Sequence, residues 1–308
     1  MEFQNYEENY KNIKKITKIA KKMIDSLPDT VENIIINGEL LHAYLYLHPD
    51  IRNDIIDYND FELFTNEKLE ASINDSEFIN SQAFQKTKEF ILCWSEFWHT
   101  NELLFEECII LDLSRFTNLK ELYLSFIFVT NVNNIPESLK KLKIISCETN
   151  KIDTLPHSLD FFNCNNNNIR ELPQIQHTNL THLFCSSNLL RNIPNLPKTL
   201  EILYCSQNYI KILPKLPSRL EYLSCNNNRL VWLSNMDELP NELYSLQCDN
   251  NNLTGIPKLP KTLKILNCGK NNITKIPDLP PFLTTLNCAN NPLKEYPILP
   301  PSIMNYTL

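Results

Sequence analysis

The chain has 308 residues, 43% of them hydrophobic, and a net charge of −7. That length allows one or two domains, and an acidic balance with no basic stripe argues against nucleic acid as the main partner. No apolar run reaches the roughly 18 residues that a membrane helix needs, so no membrane role is expected.

The charge is unevenly divided. Residues 1–106 carry 10 basic and 20 acidic side chains, and the remainder carries 19 and 16. This break predicts two regions, 1–106 and 107–308. The N-terminus, MEFQNYEENYKNIKK, has no apolar signal core. Ile13, Ile16, Ile19, Met23 and Ile24 recur at helical spacing with lysines on the other faces. Such a basic amphipathic helix can bind membranes or a helix-binding groove. Without an aromatic wedge it reads better as a docked helix with solvated lysines.

A second apolar stretch runs from Val31 to Leu47. Phe78, Phe84, Phe90, Ile91, Trp94, Phe97 and Trp98 mark a further helix from about residue 76 to His99. These large side chains need burial, and the end of a stacked array needs a cap. Cys108 to Leu113 reads as a short strand that starts a sheet, in a shortened opening unit.

From Leu119 onward one unit repeats: L-x-x-L-x-C-x-x-N-x-[LI]-x-x-L. Its leading apolar residues are Leu119, Leu139, Leu159, Leu180, Leu200, Leu220, Leu243, Leu263, Leu283 and Ile303, spaced by 20, 20, 21, 20, 20, 23, 20, 20 and 20 residues. That makes nine complete units and a truncated tenth. A fixed short period marks a solenoid, in which each unit buries its apolar face only against its neighbours.

Counting from the leading leucine, positions 1, 4, 6, 11, 14 and 17 are apolar and point inward. Positions 3 to 6 form a short strand, paired in parallel with the next about 4.8 Å away. The LPxLP segment returns along the back, where proline favours extended or polyproline geometry over helix. Seventeen of the 19 prolines lie after residue 119, and there are only three glycines, so asparagine must serve the turns.

Position 6 holds Cys164, Cys185, Cys205, Cys225, Cys248, Cys268 and Cys288, seven of the ten cysteines. They read as small hydrophobes in a tight slot, not as metal ligands or disulfides, since no CxxC or adjacent histidine accompanies them. No metal or cofactor is expected. A thiol column of this kind suits a reducing compartment, so the cytoplasm is expected. Position 9 holds Asn167, Asn188, Asn208, Asn228, Asn251, Asn271 and Asn291, whose amides can satisfy turn backbone on both sides. The first two units depart from this column with Ile127 and Cys147, and a slip of three residues would realign the second through Cys147 and Asn150. Extra residues fall near Gln174–Asn179 and Ser234–Asp237.

The unit resembles a leucine-rich repeat, and its LPxLPxxLxxLxCxxNxL wording resembles the short-period bacterial effector class with YopM and IpaH type repeats. The resemblance covers residues 119–308. It implies an α+β chain: a helical N-terminal cap, then a solenoid with a parallel concave sheet and little helix on its back. The ubiquitin-ligase domain that follows the repeats in IpaH relatives has no counterpart here, so that activity is not implied. It also leaves open delivery into a host cell. A second resemblance, to F-box ubiquitin-ligase adaptors, rests on LPDTVENII from Leu27, an LP followed by expected helices.

Positions 3 and 5 alternate with inward residues and face out of the concave sheet. They gather Tyr123, Phe161, His182, Phe184, Ile202, Tyr204 and Tyr222, flanked by Lys140, Lys141 and Lys143. Exposed aromatic patches mark contact sites, so a protein partner is expected there. No GxxxxGK[ST], GxSxG, HExxH or GxGxxG occurs, so catalysis is not expected. The last strand, with Ile303, Tyr306 and Leu308, leaves an open edge suited to weak self-association.

Overall fold

The computed structural model describes residues 15–22, 24–25, 27, 29–30, 33–37, 109–233 and 239–308. The helix expected from about residue 76 to 99 and the insertion around Ser234–Asp237 lie outside these residues.

Eleven strands, numbered in chain order with a second sheet, line one side of the coil. They are β1 (Asn33–Asn37), β3 (Glu121–Ser125), β5 (Lys141–Ile145), β7 (Phe161–Asn163), β8 (His182–Phe184), β9 (Ile202–Tyr204), β10 (Tyr222–Ser224), β11 (Ser245–Gln247), β12 (Ile265–Asn267), β13 (Thr285–Asn287) and β14 (Asn305–Thr307). They pair in that order, and every pairing is parallel. A second sheet of three parallel strands, β2 (Ile109–Asp112), β4 (Val129–Asn133) and β6 (Lys151–Ile152), covers the back of the first coils. Among the described residues the back of the later coils carries no helix, which its prolines disfavour, and no strand beyond isolated bridges. There a coil turns into its strand with a bond from the leading N–H to a proline carbonyl three residues earlier, as in Leu200 to Pro197 and Leu220 to Pro217. The exception is the coil led by Leu180, where the Thr178 N–H donates to the Ile175 carbonyl and the Thr178 hydroxyl accepts the Leu180 N–H.

The opening of the sheet differs from the expectation. Cys108 to Leu113 is expected to start it, yet β2 belongs to the sheet on the back. The long sheet begins with β1, where Ile34-Ile35-Ile36, a β-branched run, suits a strand. Asn33 pairs with Glu121 and Leu111 with Val132. β1 and β2 therefore occupy the front and back of one coil, and residues 38–108 are inserted between them. The same strand lies where the F-box resemblance implies helix.

One core runs through the molecule. The helix at residues 15–22 joins it through Ile16 and Ala20, followed by Ile24 and Leu27, all buried. Thr17 Oγ1 accepts the Phe128 N–H at 3.1 Å, and Arg115 donates to the carbonyls of Ile24 (2.6 Å) and Leu27 (2.8 Å) and pairs with Asp29 (3.0 Å). The helix is thus packed and hydrogen-bonded against the first coils. Ile13 and Met23 lie outside the described residues.

The first repeats keep a regular register. Lys141 pairs with both Glu121 and Phe161, position 3 with position 3, so no slip occurs. Cys147 takes the asparagine column itself, buried, and Thr149 stands at position 11, where its N–H donates to Asn167 Oδ1 at 3.0 Å.

Candidate functional site

Two columns hold the coils in line before any surface chemistry begins. The seven position-6 thiols are unbridged and buried. Burial pushes the Cys205 thiol up to about 12, and those of Cys185, Cys225 and Cys248 well above their ordinary range, with neighbouring thiols adding to it. Protonated, apolar-packed thiols neither ligate metal nor attack. Among the described residues no group of three or more histidine, cysteine or acidic side chains could hold a metal ion.

The asparagine column is a ladder. Asn208 Nδ2 donates to the carbonyls of Cys185 (3.0 Å) in the coil before and Cys205 (3.2 Å) in its own, and its Oδ1 accepts the Leu190 N–H at 2.9 Å. Asn167, Asn188, Asn228, Asn251, Asn271 and Asn291 repeat the scheme. Between these columns, position 8 turns left-handed in every complete coil: Phe126, Ser146, Asn166, Ser187, Gln207, Asn227, Asn250, Lys270 and Asn290 have φ between 52° and 58°. Only four of them are asparagine, so the turn is imposed by the ladder as much as by residue preference.

The strands bury position 4 and leave positions 3 and 5 facing the concave side, as in Phe161–Asn163 and His182–Phe184. Parallel register sets identical positions side by side. His182 stacks on Phe161 with ring centres 5.7 Å apart, and Phe184 lies 5.4 Å from Phe161. Tyr204 meets Phe184 edge-on at 5.2 Å and is 36% exposed. Lys143 Nζ sits 5.2 Å from the Phe161 ring centre and 5.6 Å from that of Tyr123. These six side chains form one continuous patch on the concave sheet. His182 Nδ1 is held by the Thr181 hydroxyl at 2.8 Å, which fixes the ring.

The other expected members behave differently. Ile202 lies in register between His182 and Tyr222, half-buried. Tyr222 turns toward Tyr244, ring centres 5.6 Å apart, and extends the patch by a residue that position 3 and 5 counting missed, since Tyr244 stands at position 2. Lys141 is bonded to Glu121 at 2.8 Å, which raises its pKa. Its charge is thus answered within the chain. Beyond Tyr244 the concave rows turn polar apart from Ile265, with Ser245, Gln247, Asn267, Thr285 and Asn287.

No family model matches the chain, and no curated protein matches it. Among solved structures, it is similar to YopM from Yersinia enterocolitica WA-314 (26% identity, TM-score 0.44), covering 80% of this chain and 63% of that one. It is also similar to the functional domain of InlJ from Listeria monocytogenes, described as including a cysteine ladder (27% identity, TM-score 0.47, 60% of this chain and 42% of that one). A third is a Shigella effector leucine-rich-repeat domain (29% identity, TM-score 0.36, 41% of this chain and 67% of that one). The chain thus spans less than two thirds of the YopM structure's length, and its surface chemistry has to be read from its own residues.

Proposed function

We propose that this leucine-rich-repeat solenoid is a non-catalytic scaffold that captures a protein partner on its concave face. The observation that carries the reading is the aromatic run Phe161, His182, Phe184 and Tyr204, assembled across three neighbouring strands at positions that the core does not use. Rings already in mutual contact lose little side-chain freedom on binding, which is why aromatics anchor interfaces. Lys143, set over Tyr123 and Phe161, adds a cation at the rim of the patch. The N-terminal region acts as a cap, and the compartment is the cytoplasm, or a host's cytoplasm if the chain is delivered.

The test is affinity capture with mass spectrometry, comparing wild type with Phe184→Ala combined with Tyr204→Ala. Partners recovered by wild type are expected to drop out, each truncation costing about 1–3 kcal/mol at an interface anchor. An identical set of partners from both proteins would remove the concave face from the reading.

A further inference from the structure

A second surface lies off the concave face, on the flank where each coil leaves its asparagine turn. Positions 10 to 13 of the middle coils place Tyr209, Ile212, Val231 and Trp232 at 42%, 50%, 40% and 55% exposure. Ile212 and Trp232 are joined by a parallel bridge, so these bulky side chains come from adjacent rungs. The same positions in later coils carry Thr254, Gly255, Thr274, Lys275, Lys294 and Glu295. The apolar surface is thus local to two coils and not a demand of the repeat. The core rows already supply the fold's apolar contacts, so nothing in the packing calls for an exposed indole here.

Cations frame this surface. Arg170, Arg191 and Lys211 fall at position 12 of three successive coils, so they follow one another in a row down the flank. Arg229 stacks over the Tyr209 ring at 4.6 Å. Together with Tyr209 they line two adjoining shallow grooves, and among the described residues lining them Glu171 is the only carboxylate. Ile212, next to Lys211 in the chain, and its bridge partner Trp232 lie beside the grooves rather than in them. Three like charges in such a row repel one another and favour an anionic occupant. Residues 107–308 carry 19 basic and 16 acidic side chains, so four cations against one described carboxylate set these grooves apart from the near-balanced surface around them.

We infer that this flank is a docking groove for an acidic, extended segment of another protein, with carboxylates on Arg170, Arg191, Lys211 and Arg229 and a bulky apolar side chain against Trp232. Arginine receives carboxylates in bidentate fashion, and an apolar residue between them would cover Ile212 and Val231. A nucleic-acid strand fits less well. The cationic row is only three coils long, the Tyr209 ring already carries Arg229, and Ile212 and Val231 offer bases no stacking plane, which leaves Trp232 as a single ring where a strand needs several.

The probe is a short fluorescein-labelled peptide of glutamates around a single tryptophan, followed by anisotropy with the full chain. Saturable binding is expected, weakened about tenfold or more by Arg191→Glu with Arg229→Glu, and separately by Trp232→Ala. Both variants should keep the wild-type unfolding midpoint, since the altered side chains lie outside the core. A lysine-for-glutamate peptide should not bind, and oligothymidylate should not displace the probe. The proposal is overturned by no saturable binding, by equal binding of the variants, or by displacement with oligothymidylate. Phe184→Ala with Tyr204→Ala should leave the peptide's affinity unchanged. If that pair abolishes binding instead, the peptide sits on the concave face and the flank reading fails, whereas the concave reading does not.

Discussion

At the scale of single residues, the least expected group is Glu148. It is buried, no cation pairs with it among the described residues, and its one described side-chain bond comes from the Asn168 amide. Burial pushes its carboxyl from 4.5 up to about 8, against a smaller lowering by Asn168. Between those values the unfolded chain has lost a proton that the native chain keeps. This contribution is therefore fully present below about 4.5 and is lost as pH rises toward 8, amounting to a few kcal/mol in order of magnitude. Urea midpoints across that window should fall with pH in wild type and stay flatter in Glu148→Gln. A wild-type curve as flat as the variant's would show that the carboxyl ionises freely. Position 8 offers a second residue-scale test. Lys270 is exposed and left-handed at φ 54°, a conformation that glycine adopts without steric cost. Lys270→Gly should raise stability by up to about 1 kcal/mol, seen as a higher melting temperature. A fall would mean that the side chain contributes more than its backbone strain costs.

At the scale of the coil, stability comes from links between neighbours. Each ladder amide bridges two rungs, so removing one leaves carbonyls and an N–H of two coils without partners. Asn208→Ala should cost about 1–3 kcal/mol, measured by denaturant unfolding, and an unchanged curve would remove the amide's assigned role. This part of the molecule was legible in the sequence because the period is short and the core columns are rigidly spaced. The thiol and amide columns followed from the repeat period, and the outward rows at positions 3 and 5 from strand alternation. Tyr244 and the flank around Trp232 did not. Their exposure depends on where the turn and the back lead the chain, and no alternation rule reaches positions 2 or 10 to 13. The opening coil was illegible for another reason: β1 and β2 are separated by residues 38–108, and periodicity is lost across such a gap.

At the scale of the whole molecule, that split coil makes a specific claim about connectivity. In the next coil, β3 ends at Ser125 and β4 begins at Val129, so residues 126–128 suffice to join front to back. A chain in which residues 38–108 are replaced by a three-residue turn copied from 126–128 should therefore fold, with a strand-type circular dichroism spectrum and one cooperative unfolding transition. An aggregated or non-cooperative product would mean that the intervening residues are required to form the coil. Truncation at residue 109 should be far worse. It strips β1 from the edge of β3 and takes Ile16, Ala20, Ile24, Leu27 and Ile36 out of the shared core.

The detour also bears on when the molecule assembles. On the ribosome, the segment ending at Asn37 is finished long before Glu121–Ser125, the rung it must lie against. At about 5–20 residues per second it waits several seconds for its mate. Rungs from Leu139 onward meet their neighbours some twenty residues after they appear, a far shorter loop to close. Growth should accordingly begin in the middle and C-terminal rungs, and the portion synthesised first should be the last to settle.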